Sequence, residues 1–243
     1  MDNISWDGFW RVGAFRITVV VSILFFVLTA IAMLLYPGGT LINPHSHGYS
    51  FFSNFLSDLG RITTPSGQSN LASMVLFTIA LSMGALGIAL FFLAFTQLFT
   101  TSVIALRLSR LGAGCGLVAS ICFLGVAGVP LDLNEWMHNF FLDTAFVSFL
   151  AAFLLIFLAV LLKPGLPRRF VGVLAAFAIV LMGYTILLVY LLLFGPAAGT
   201  PTWEIIQATG QKVIVSASIL TALIQALNVP PLLQKNAEPP LTL

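Results

Sequence analysis

The groups in this chain that could do chemistry are three histidines, a few carboxylates and one lysine. His45 and His47 stand two apart in a polar stretch, and His138 follows Glu135 by three residues. Imidazoles with a carboxylate can hold zinc, and a zinc-bound water becomes a nucleophile near neutral pH. Asp58, Asp143 and Lys212 add two acids and an amine, and Ser57 and Gln211 add neutral hydrogen-bonding groups. The same mixed set can hold the polar head of a lipid. A plainer reading makes them ordinary loop polars, with Asp143 paired to Lys212 or Arg61 for structure. Ser53 and Ser57 are weak as nucleophiles, because a serine needs a base within about 3 Å and the sequence shows none. No Gly-rich phosphate loop, haem-attachment pattern or iron–sulfur cysteine pattern occurs, so no cofactor is expected.

The elements that must position these groups are membrane helices. Of 243 residues, 59% are hydrophobic and 7% charged, where a soluble domain carries about 25% charged residues. The mean hydropathy is +1.07. A net charge of +2 leaves no nucleic-acid footprint. Six apolar runs are long enough to cross ~30 Å of hydrocarbon as helices: about 15–36, 71–99, 111–131, 137–162, 170–194 and 212–233. Trp6, Phe9, Trp10 and Arg11 read as an interfacial segment before the first. That first run is longer than the apolar core of a signal peptide and ends in Tyr36-Pro37-Gly38-Gly39, so it is expected to stay as a span. Gly112 and Gly116 in the third run let a neighbouring backbone approach closely. Asn228-Val229-Pro230-Pro231 is expected to end or kink the sixth helix. Cys115 and Cys122, seven residues apart in one helix, lie ~10 Å apart, too far for a disulfide.

Between the first two spans lies the longest polar stretch. Within it, Phe51, Phe52, Phe55, Leu56 and Leu59 recur at helical spacing, with Ser50 and Gly60 placed to cap the ends. This pattern predicts a short amphipathic helix with Ser53, Asn54, Ser57 and Asp58 on its wet face.

Eight of the ten Lys and Arg fall on the side of the amino terminus, and only Arg61 and Lys212 on the other. The positive-inside rule then makes both termini cytoplasmic. The polar set gathers on the opposite side. Glu135, Asn139 and Asp143 share one face of the fourth helix, and His138 can meet Glu135. Glu204, Gln207 and Gln211 share a face of the sixth run, with Lys212 beyond them to pair with Asp143 or Glu204. An ionisable residue as deep as Asp143 usually faces the bundle or a wet cavity.

Two motifs, Tyr36-Pro37-Gly38 and Phe55-Leu56-Ser57-Asp58-Leu59-Gly60, resemble elements of the prokaryotic "domain of unknown function 998" membrane proteins. The start of the fourth helix at His138 and Gly210-Gln211-Lys212-Val213 are also similar. More distantly the chain resembles DRAM-like and Frag/Sfk membrane proteins, a group implicated in lysosomal membrane biology and in lipid and GPI-anchor handling. Asn43 to Tyr49 stands as an insertion relative to the short linker of the family. The resemblance implies six helices, an outward-facing motif after the first, and Ser57, Asp58, Gly60, His138 and Lys212 as motif positions. It implies a prokaryotic plasma membrane and no established reaction.

The expectation is therefore an all-α, six-span bundle over 1–233 with a flexible cytoplasmic tail over 234–243. It binds or handles membrane lipid at the outer leaflet through Ser57, Asp58, Glu135, His138, Asp143, Gln211 and Lys212. A metal-assisted membrane hydrolase, a transporter and an accessory subunit of a membrane complex are the alternatives.

Overall fold

The structure is a computed structural model that describes residues 8–99 and 102–235. Trp6 and the tail from 236 onward lie outside the described residues. Six long helices form: α1 Ala14–Leu35, α2 Leu71–Phe95, α3 Val103–Gly128, α4 Glu135–Leu161, α5 Arg168–Phe194 and α6 Pro201–Lys235. Each is long and apolar enough to cross a membrane, and this is an integral membrane protein. A π-helical turn, Phe9–Gly13, leads into α1, and a 3-10 turn, Thr96–Phe99, follows α2.

Consecutive helices pack side by side, most closely α1 on α2 and α3 on α4, and α6 returns to α1 and closes the ring. The seam between α4 and α5 is the sparsest of the sequential contacts. Lipid tails are as apolar as leucine, so close packing, more than burial from water, holds such a bundle together. The two glycines of α3 show how. A Cβ on Gly112 would sit 3.0 Å from the Ala152 carbonyl of α4, and one on Gly116 would sit 2.6 Å from the Phe92 ring of α2. α3 is thus wedged between both neighbours, as the small-residue spacing anticipates. Phenylalanines fill the interior edge to face, as where Phe153 and Phe177 join α4 to α5 at 4.6 Å and 86°.

Two helix boundaries differ from expectation. α3 starts two turns early because the Ser102 hydroxyl caps the Ala105 amide. α6 starts three turns early: Thr200 caps the Trp203 amide, and Pro201 takes the first helical position, where its missing N–H is not needed. α6 also runs through Pro230 and Pro231 to Lys235, so it does not end at the prolines and takes in the first two residues assigned to the tail.

The expected amphipathic helix over 50–60 is not what this segment forms. Residues 51–53 turn, and a 3-10 helix occupies Leu56–Gly60. The cause is local. Asn54 Oδ1 accepts from the Ser50 amide at 2.9 Å, and Asp58 Oδ2 accepts from the Phe55 amide at 2.9 Å. Side chains that take backbone amides in this way compete with a regular helix. The faces change accordingly. Asn54, Ser57 and Asp58 are buried, while Phe51 and Phe52 are exposed.

Candidate functional site

Residues 36–70 fold into a compact cap over one end of the bundle. The strand-like segment at Gly38 pairs with His47, and the Gly39 amide donates to the Ser46 carbonyl at 2.9 Å. Asn54 is the hub, fully buried. Its side-chain amide donates to the Gly39 carbonyl at 2.8 Å and to Asp58 Oδ2 at 3.1 Å. Its own carbonyl accepts from Lys212 Nζ and from the Tyr49 hydroxyl. Asp58 is 1% exposed and ion-paired with Arg61 at 2.9 Å. A buried carboxylate needs such partners, because an unpaired one costs several kcal/mol. Burial, with the Asp58 charge second, raises the Tyr36 and Tyr49 hydroxyls above the ordinary tyrosine range. Both stay protonated and act as donors, Tyr36 to the Gly39 carbonyl and Tyr49 to the carbonyls of Asn54 and Phe55.

Besides Lys212, contacts from three other residues hold the cap to the bundle. Gln211 Oε1 of α6 accepts from the Leu56 amide at 2.9 Å. Asp132, in the α3–α4 turn, accepts from the Ile62 and Thr63 amides at 3.0 and 2.8 Å. Asn70, at the start of α2, donates to the Leu59 and Arg61 carbonyls.

Beneath the cap lies a cavity bounded by all six helices, with Leu56 and Ser57 as part of its roof. It is long and narrow. Its volume is about 130 Å³, comparable with apolar cavities that admit a benzene-sized guest. Yet its α2 wall runs from Phe77 to Phe92, ~22 Å of helix. Phenylalanine is the commonest residue of the whole lining, with Phe91 from α2, Phe146, Phe149 and Phe153 from α4 and Phe177 from α5. The polar lining is sparse: Thr18, Ser22, Ser57, Gln211, Ser218 and Thr221.

Four of the seven sequence-predicted site residues come together. Ser57 and Asp58 lie in the cap, and Gln211 and Lys212 meet it from α6. The Lys212 amine is not paired with Asp143 or Glu204. It donates to the carbonyls of Asn54 and Ala208 and lies 5.5 and 5.3 Å from the Tyr49 and Phe51 ring centres. That cage of carbonyl and ring dipoles replaces a direct counter-ion. His138 is buried nearby at the α3–α4 turn. Its Nδ1 lies 2.7 Å from the Val129 carbonyl, and its buried Nε2 has no partner. Val129 accepts only, so Nδ1 carries the proton of that bond.

Glu135 and Asp143 do not join. Both are exposed on the outside of α4 and have no ion pair or side-chain hydrogen bond among the described residues. Their shared face points away from the bundle. His45 and His47 are exposed in the cap loop, and no three His, Cys, Asp or Glu among the described residues are gathered closely enough to hold a metal ion.

The residue that sequence reasoning missed is Asn54, read as a wet-face residue; Glu204, placed with Gln207 and Gln211 on one face of the sixth helix, was left out of the expected site. Glu204 is 2% exposed. Its carboxylate faces the Thr40 hydroxyl and the Ile42 amide but closes no hydrogen bond of normal geometry with either. The 22 phenylalanines were the available signal for the cavity, but composition does not say which rings face inward. Compared with known proteins, the chain matches no family model, no curated protein and no solved structure.

Proposed function

We propose that this membrane protein binds a lipid-like molecule in the cavity beneath its cap, with the polar end of that molecule at the outer rim. The observation that carries this reading is the cavity itself. A wholly structural bundle has no need of a phenylalanine-lined cleft reached by all six helices and roofed by a hydrogen-bonded loop. Ligand sites are mostly apolar hollows with a few well-placed polar groups, and this cleft has that composition. The polar network of Asp58, Asn54 and Lys212 serves to hold the roof, and Ser57 and Gln211 are its cavity-facing members. The eight-to-two split of cations supports a reading with the cap on the non-cytoplasmic side and both termini in the cytoplasm. The resemblance to the "domain of unknown function 998" proteins belongs to the same proposal and agrees with an outward-facing Phe55–Gly60 element in a prokaryotic plasma membrane.

The test is native mass spectrometry of protein released from its own membrane. Wild type retains one apolar molecule per chain. Ala222→Phe, which places a ring inside the cleft, folds and inserts but emerges without it. Equal retention by both proteins overturns the reading.

A further inference from the structure

We infer that the cavity selects an uncharged single-chain amphiphile whose head is a hydroxyl or a carbonyl. This rests on the binding role proposed above and specifies its ligand. The argument begins with what the cavity wall lacks: no Asp, Glu, Lys, Arg or His lines it. Charged groups are close by in sequence, since Asp58 follows Ser57 and Lys212 follows Gln211. In both pairs the neutral residue lines the cavity and the charged one does not. The Asp58 carboxylate is taken by Arg61, Asn54 and the Phe55 amide. The Lys212 amine is taken by the Asn54 and Ala208 carbonyls. No charge is left to meet a phosphate, a carboxylate or an ammonium inside the cleft. Moving an ionised head into such a place without a partner is prohibitively costly.

What the wall offers instead is defined by hydrogen-bond chemistry. The Leu56 amide is a donor, so the Gln211 atom facing it at 2.9 Å must be the side-chain oxygen. That fixes the orientation of the amide and leaves its NH2 as a donor with no protein partner among the described residues. The Ser57 hydroxyl, in a residue 7% exposed, is likewise without a protein partner there and can donate or accept. Two such groups at one end of a cleft ~22 Å long match a hydroxyl or carbonyl on a hydrocarbon tail. A volume of about 130 Å³ leaves no room for two tails side by side.

The experiment uses the full chain in lipid nanodiscs and three photoreactive probes with the same twelve-carbon diazirine tail. One ends in a hydroxyl, one in a phosphate and one in trimethylammonium. Labelled residues are mapped by peptide mass spectrometry. The hydroxyl probe labels cavity-wall residues such as Phe149 at least tenfold more than either ionic probe, while all three label the exterior residue Leu192 alike. Gln211→Glu keeps an oxygen for the Leu56 amide but turns the free donor into an acceptor with charge. It raises wall labelling by the trimethylammonium probe, while the hydroxyl probe, which can donate to the new carboxylate, still labels the wall. Equal wall labelling by all three probes in wild type overturns the selectivity and leaves the binding role standing. Wall labelling by none of them overturns the binding role as well.

Discussion

Lys212 and Asp58 do not touch, yet a single residue joins them: the Asn54 carbonyl accepts from the lysine amine while the Asn54 amide donates to the aspartate. Opposite charges are thus held in one buried network without contact, and the cap end of α6 is tied to the loop after α1. The network sits on the cap side of Ser57 and Gln211 and leaves the cleft uncharged.

Asn54→Leu removes the hub. It orphans the Ser50 amide and one side of Asp58, each a loss of about 1–3 kcal/mol. Thermal unfolding in detergent should shift down by several degrees, with the helical circular dichroism of the folded state unchanged. An unshifted transition would mean that the cap does not depend on this residue.

Asp58→Asn and Asp143→Asn should behave differently. Asp58→Asn breaks a buried ion pair with Arg61, and leaving one partner uncompensated is strongly destabilising, on the order of 3–5 kcal/mol. Asp143 is exposed on α4, so its neutral isostere leaves both stability and ligand retention as they were. Loss of the bound molecule on Asp143→Asn would return that residue to the site.

Tyr36 and Tyr49 give a pH signature. Their folded pKa values are raised by burial and by Asp58. The stability tied to their neutral form is present in full below the ordinary value of 10.0. It falls as pH climbs past that value, because the unfolded chain then releases protons that the folded cap retains. Melting curves from pH 8 to 11 should be flat at first and then fall. The fall should be shallower in Tyr36→Phe and Tyr49→Phe, and an unchanged slope in both variants would contradict the assignment.

Glycines in α3 separate packing from propensity. Gly116→Ala pushes a methyl against the Phe92 ring and should lower the melting temperature. Gly114→Ala meets nothing within 4 Å and should be neutral or stabilising by up to about 1 kcal/mol. Equal effects would show that α3 is not wedged as described.

The six helices were legible because hydropathy and length leave little else for such runs to be. Their ends were less so, since Ser102 and Thr200 set them and a single capping hydroxyl is easily lost among loop polars. The cap was half legible. Ser57, Asp58, Gln211 and Lys212 do lie together at the cap, but helical spacing in Phe51–Leu59 was misleading. Asn54 and Asp58 bind backbone amides there, and that competition leaves no trace in apolar periodicity. Asp143 and Glu135 were misplaced because a shared helix face says nothing about which way the helix is turned.

The most direct test is a high-resolution cryo-electron microscopy map of the protein in nanodiscs drawn from its native membrane. The account predicts elongated density in the cleft, one end within hydrogen-bonding reach of Ser57 Oγ and Gln211 Nε2, the rest lying along Phe91 and Phe149. A cleft closed by its own phenylalanine rings, with no density between them, would contradict it.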